Sequence, residues 1–233
     1  FTELNNNNDS FILERNNLDS KCIVTDFDFK YPIDNNKNLR RYTKEDIENI
    51  VMVYFKVINK YFKLCDNKCI AYVFEKKEPY VSKNNEVKDG IHIVFPFVIA
   101  NNNYQNKIRQ EIVDENILHE LLVKNIEYTN SFDDVLDKCI IKNAWLLYGN
   151  KKEDDKHPYI HTLRYKLSDN ILEEINPTTD INKLIKINSI REIFPVKQAD
   201  LIDNMTETKE NIKFDNLKQN NNNINFEYNF TNG

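Results

Sequence analysis

Glycine is almost missing from this chain: it occurs three times in 233 residues, and only Gly90 and Gly149 lie inside the sequence. Each of the two should mark a turn or a close backbone approach that no other residue allows. Cysteine is sparse as well. Cys22, Cys65, Cys69 and Cys139 sit mostly in apolar runs, which argues against a disulfide framework and for reduced core thiols in a soluble intracellular protein. No apolar run approaches the ~20 residues that cross a bilayer, and no signal peptide is visible, so no membrane partner is expected. Excess positive charge is lacking too. The net charge is −5 and the pI near 5.5, so any nucleic-acid site has to be a local basic patch. No internal repeat is evident.

What is abundant is asparagine, in runs such as Asn5–Asn8 and Asn220–Asn223, a bias that reads as the coding habit of an AT-rich genome. With 40% apolar residues, the chain can bury a core as one domain or one domain with an appendage. It opens on Phe1 rather than Met, which reads as a fragment of something longer.

The stretch K-C-I-V-T-D-F-D-F at Lys21–Phe29 organises the rest. Cys22–Val24 is a β-favouring apolar run that reads as a buried strand. Alternation then sends Asp26 and Asp28 to one face and Phe27 and Phe29 to the other. The two carboxylates start ~6–7 Å apart, two strand rises, and can converge on one cation. Crowded carboxylates repel, and a hard divalent ion relieves the repulsion. A solvated strand end explains a lone D-x-D equally well. The loop Tyr31–Tyr42 carries Lys37, Arg40 and Arg41, flanked by Lys30 and Lys44. Solvation and phosphate contact both account for this basic patch.

Thr43-x-x-Asp46 resembles a capping box, and apolar residues from Ile47 to Tyr61 keep helical spacing to about Leu64. Residues 69–75 and Gly90–Ala100 read as strands, with Pro96 pointing to an edge or a bulge. Gln105–Lys124 reads as an amphipathic helix and Asn130–Asp137 as a short helix or turn that Ser131 could cap. Cys139–Ile141, Ala144–Tyr148 and Tyr159–Leu167 read as strands. The expected organisation is an N-terminal lead-in (1–20), a core domain (21–168), a small helical extension (169–205) and an Asn-rich tail or linker (206–233) too polar to fold alone.

Three features follow in order: D-F-D at 26–28, K-D-G-I-H at 88–92, and V-L-D at 135–137 followed by K-N-A-W-L-L-Y-G-N at 142–150. This set resembles the archaeo-eukaryotic primase (AEP) superfamily, with its h-D-h-D, small-x-His and h-D segments. It is most similar to the N-terminal primase domain of the primase-helicases of nucleo-cytoplasmic large DNA viruses. There the segments read much like T-D-F-D-F-K-Y, K-D-G-I-H-I-V-F-P and W-L-L-Y-G-N-K-K, with an R-x-Y segment like Arg40–Tyr42 after the first. The resemblance covers roughly residues 21 to 165. It departs at Gly90, where many members carry serine, and at Asn150, where a small residue is expected.

The resemblance implies an α+β fold in which an RRM-like antiparallel sheet carries the acids and helices back it. It implies that Asp26, Asp28 and Asp137 hold one or two divalent ions, Mg²⁺ or Mn²⁺ by their oxygen ligands. It implies a DNA primase, a nucleotidyltransferase joining NTP or dNTP on a single-stranded DNA template, with a helicase domain downstream. It gives His92 the role of contacting the incoming triphosphate. Lys88 would add charge there, Gly90 would let the backbone approach a phosphate, and Arg40, Arg41 and Lys151 are candidate phosphate or nucleic-acid contacts.

Other readings compete. A D-x-D near an N-terminus also opens haloacid-dehalogenase-type phosphatases, but those need glycine-rich turns around a later acidic segment, and Asp133-Asp134 has none. GT-A glycosyltransferases place D-x-D after a nucleotide-binding half-domain, for which position 26 leaves no room. A primase-like domain without activity could grip DNA or tether a helicase, although a pure polyanion binder would gain by losing three acids. Cys65-x3-Cys69 and His157-x3-His161 have pairwise zinc spacing but lie too far apart in sequence for a finger. His119 reads as structural or exposed, and Trp145 and Tyr148 as core or as base-stacking rings.

Overall fold

A computed structural model of the chain describes residues 12–16, 19–34, 39–64, 69–151, 158–191 and 200–201. In chain order these form β1 (Leu13–Glu14), β2 (Ser20–Tyr31), α1 (Lys44–Tyr61), β3 (Phe62–Lys63), β4 (Ile70–Lys76), β5 (Tyr80–Val81) and β6 (Val87–Asn101). Next come α2 (Asn102–Asp114), α3 (Ile117–Leu122), α4 (Phe132–Val135), a 3-10 turn at Lys138–Ile141 and β7 (Trp145–Leu146). Last are β8 (Tyr159–Ser168), β9 (Ile171–Glu174), α5 (Ile181–Asn188) and β10 (Asp200–Leu201).

The main sheet runs β2-β6-β4-β8-β9, with β5 also on β6, and every pairing is antiparallel. Alternation along the strands separates two cores. Ile23, Phe27 and Phe29 of β2, Val73 of β4 and Ile91, Ile93 and Phe95 of β6 pack under α1, α2 and α3. On the other face Cys22, Val24, Tyr72, Phe74 and Val94 lie under Ile140, Ile141, Trp145 and the α5 side chains Leu184 and Ile187. The α+β, helix-backed antiparallel architecture expected from sequence is the one observed.

α1 forms because Thr43 and Asp46 complete a reciprocal capping box, which satisfies two amide donors at its start. Its buried stripe includes Ile47, Ile50, Val51, Tyr54, Val57 and Ile58, each contributing about 1.5–3 kcal/mol by leaving water. It ends where Phe62 turns extended and enters β3. The expected single helix over 105–124 is two helices, α2 and α3, broken at Asn116, whose φ is +58°. Cys139–Ile141 is a 3-10 turn rather than a strand, because the Asp137 side chain accepts from the Cys139 amide and caps it.

β6 is an interior strand, so Pro96 marks no edge. The β2–β6 register jumps from Ile23↔Phe95 to Cys22↔Ile99, and Pro96 lies in that bulge, where no ladder donor is needed. Residues 171–174, inside the stretch expected to be helical, form β9. Asp169 and Asn170, with φ of +50° and +62°, make the two-residue turn that sends β8 back along itself.

The C-terminal end of α5 is bound to both β1 and the β7 segment. Ser189 Oγ and the Ile190 amide donate to the Glu14 carboxylate, and the Trp145 indole donates to the Asn188 carbonyl at 2.6 Å. Among the described residues no helix is long and apolar enough to cross a membrane. The expectation for residues 206–233 lies outside the described residues, as do Lys37, Cys65 and His157.

Candidate active site

Asp26 and Asp28 leave β2 on the face away from α1, as the alternation demands. The third acid arrives by backbone pairing. β2 is an outer strand of the main sheet, and residues 129–137 run along its free edge. The Thr129 amide donates to the Lys30 carbonyl, Asn130 brackets the strand through the Lys30 amide and the Asp28 carbonyl, and the Asp137 amide donates to the Asp26 carbonyl at 3.0 Å. Leu136 bridges Phe27. This strap delivers Asp137 beside the pair. One carboxylate oxygen from each of Asp26, Asp28 and Asp137 lies within 4.8 Å of the others. Three hard oxygen donors this close suit a divalent cation such as Mg²⁺ or Mn²⁺.

β6 supplies the next row in register: His92 opposite Asp26, Gly90 opposite Asp28, and Lys88 opposite Lys30. His92 Nε2 lies 3.3 Å from Asp26 Oδ1. Its ring is stacked on Tyr159, with centroids 3.5 Å apart and planes 14° apart, and tilted against Trp145 at 4.7 Å. Lys88 and Gly90 stand in the interior of β6, not at a turn. The close approach expected of Gly90 is present, but to protein: a Cβ there would come 2.5 Å from the Tyr159 hydroxyl and 2.9 Å from the Phe27 carbonyl oxygen. Its amide already donates to Asp89 Oδ1. Gly149 does occupy a turn, at φ +83°. Asn150 beyond it is buried and holds the β1 segment by accepting from the Ile12 amide, a task a smaller residue could not perform. Lys151 follows that turn on the half-buried surface.

Arg40 and Arg41 are not beside the acids. Arg40 donates through Nε and Nη2 to both oxygens of Asp89, and through Nη1 to Glu75 at 2.7 Å. Asp89 and Glu75 share strand parity with Ile91 and Val73, so this guanidinium lies on the helix-backed face, opposite Asp26. Burial pushes the Asp89 carboxyl above its ordinary value while Arg40 pulls the other way. Arg41 donates to the Pro32 carbonyl, pairs with Asp34 and lies over the Tyr31 ring, again on the helix-backed face. Both arginines fasten the loop before α1, and the sheet stands between them and the carboxylates.

Several residues that shape the site escaped the sequence reading. Buried Arg109 of α2 donates to the Leu136 carbonyl, at 2.9 and 2.7 Å, and to Asp133, so it grips the chain one residue before Asp137. At the other end of the turn, Lys21 Nζ donates to the Ile141 carbonyl at 2.6 Å and to Asn16 Oδ1, and Asn16 donates to the carbonyls of Ile140 and Ile141. Burial lowers the Lys21 ammonium to a pKa of about 8. Cationic side chains aimed at backbone carbonyls carry no periodic signature. The neighbouring acids are engaged: Asp133 by Arg109, Asp134 by Ser131. Neither belongs to the converging carboxylate cluster. His119 is bonded to Tyr128 and packs on Phe132. Trp145 is core.

Sequence comparison places this helix-backed antiparallel sheet in a known family. Residues 2–165 match the family described as "C962R protein N-terminal AEP domain", and the chain belongs to that family of archaeo-eukaryotic primase domains. Among curated proteins it is similar to "Putative helicase L207/L206" of Acanthamoeba polyphaga mimivirus, with 32% identity over 180 residues, covering 74% of this chain and 18% of that protein. It is also similar to "Putative helicase 121R" of Invertebrate iridescent virus 3, with 30% identity over 151 residues, covering 59% of this chain and 15% of that protein. The chain thus spans less than a fifth of the length of these relatives.

Proposed function

We propose that this domain is a DNA primase, a template-directed nucleotidyltransferase that acts as the primase part of a primase-helicase. The observation that carries the reading is the convergence of Asp26, Asp28 and Asp137 from two distant segments, with His92 in register beside them. These carboxylates would hold Mg²⁺ or Mn²⁺, which when bound activates a primer 3′-hydroxyl and steadies charge on the departing pyrophosphate. The remaining work falls to the chain. His92, buried against two rings, presents Nε2 toward Asp26 and contacts the incoming NTP or dNTP, and Lys88 adds positive charge on the same face. The strap keeps Asp137 at the site while backbone bonds fix its distance from Asp26. Single-stranded DNA is the proposed template. A helicase in the same polypeptide is the proposed partner, supported by the names and lengths of the relatives.

A primer-synthesis assay on single-stranded DNA with labelled nucleotides tests this. The parent should incorporate, and Asp26→Asn or Asp28→Asn should abolish incorporation while remaining folded, because each loses a charged oxygen at nearly constant size. His92→Ala should lose activity through weaker nucleotide binding and recover part of it at high nucleotide concentration. Full incorporation by Asp28→Asn would refute the assignment, and no incorporation by the parent would leave a DNA-gripping module.

A further inference from the structure

Tyr159 begins β8, and its cross-strand neighbour is Lys76 of β4. β6 lies one strand further on, yet the Tyr159 side chain reaches it. The ring lies flat on His92, 3.5 Å between centroids, and the hydroxyl stands 2.5 Å from the point a residue-90 Cβ would occupy. A side chain at position 90 would block that crossing. Gly90 therefore opens the path, and Tyr159 fills it.

The two β6 residues that Tyr159 touches are the ones opposite the acids, His92 facing Asp26 and Gly90 facing Asp28. Tyr159 is itself buried. Lys76 Nζ lies over its ring, 5.2 Å from the centroid, and Trp145 closes on His92 at 4.7 Å. A ring held in this way leaves the imidazole little freedom of plane. A stacked neighbour fixes orientation without using either ring nitrogen, so Nε2 keeps its place 3.3 Å from Asp26 Oδ1.

We propose that Tyr159 is a positioning residue of the site: by crossing β4 into the space left by Gly90 it sets the plane of the His92 imidazole beside Asp26. The proposal rests on the primase reading only for its kinetic consequence. The part of Tyr159 that lies against His92 is its ring.

Two variants separate these contributions, with Tyr159→Phe keeping the ring and Tyr159→Leu removing it. In the parent the His92 ring protons are shielded by the stacked phenol, so their NMR resonances should move downfield in Tyr159→Leu and stay near the parental positions in Tyr159→Phe. The KM for nucleotide in primer synthesis should rise about three- to tenfold in Tyr159→Leu, the scale of losing one aromatic contact, with kcat within about twofold of the parent; Tyr159→Phe should match the parent in both. If Tyr159→Leu does not fold, Tyr159→Met, which fills the volume with a flexible chain, takes its place with the same expectations. Unmoved His92 resonances in the ring-less variant, or equal KM losses in the Phe and Leu variants, would overturn the proposal. If the parent makes no primer, the function fails, and the His92 resonances still decide the positioning of the ring.

Discussion

Arg40 is the residue whose role changes most between sequence and structure, and its removal gives a prediction with a size. Replacing it with Met keeps much of the stem's bulk but strands two carboxylates. The Asp89 side chain is 0% exposed and that of Glu75 8% exposed, whereas Arg40 keeps 25% of its side-chain surface in water. Breaking a buried ion pair from one side costs about 3–5 kcal/mol, because the remaining charge is left without compensation. With a urea dependence of about 2 kcal/mol per molar, the unfolding midpoint of Arg40→Met should fall by roughly 1.5–2.5 M. The deficit should depend on pH. Burial already raises the Asp89 carboxyl, and Arg40 holds it back. Without Arg40 the folded chain takes up a proton that the unfolded chain releases, so the deficit should narrow as pH falls through the raised value toward about 4. Urea titrations at pH 7 and pH 5, with primer synthesis per folded molecule, are the assay. A midpoint within 0.5 M (roughly 1 kcal/mol) of the parent, together with a raised KM for nucleotide, would refute the structural role and return Arg40 to phosphate binding.

Other outcomes follow from the same geometry. Millimolar Mn²⁺ should raise the thermal midpoint of the parent, since a ligand of the folded state alone stabilises it, and Asp28→Asn should lose most of that rise; an equal shift in the variant would place the ion elsewhere. Lys21, lowered from 10.5 to about 8, gives up its proton on folding between those values, so parental stability should gain from pH 8 to 10.5, with an upper bound of about 3 kcal/mol. Lys21→Met should lack that component, and a parent-minus-variant difference that stays flat from pH 7 to 10 in urea titrations would contradict it. A chain ending at Ser168 loses the buried Leu184, Ile187 and Ile190 and the partner of the Trp145 indole, so it should lose cooperative thermal unfolding while a chain ending at Arg191 keeps it. Equal midpoints would show that α5 is dispensable.

The parts legible in the sequence were those written in periodicity and in local hydrogen-bonding partners. Alternation through Thr25–Phe29 placed two acids on one face, and Thr43 with Asp46 started α1 where the capping pattern put it. Left-handed turns were hidden, because the usual marker is glycine and this chain uses other residues. All four positive-φ residues that are not glycine among those described are Asn85, Asn116, Asp169 and Asn170, side chains that tolerate that region. Asparagine that reads as coding bias thus also carries turn information, and both the α2–α3 break and the β8–β9 hairpin were missed for that reason. Long-range pairing was hidden as well. Nothing in the basic loop distinguishes an arginine that meets Asp89 from one that meets a phosphate, and nothing near Tyr159 announces that its ring crosses β4.

The alternation of β2 has a consequence for folding fidelity. If β2 docked one residue out of step, Phe27 and Phe29 would face outward and Asp26 and Asp28 would enter the apolar layer beneath α1. Each carboxylate buried there without a partner would cost several kcal/mol or a captured proton. The acids that crowd together in the native register therefore also penalise the neighbouring one. Before any cation arrives, these acids would serve as a proofreading device for strand alignment.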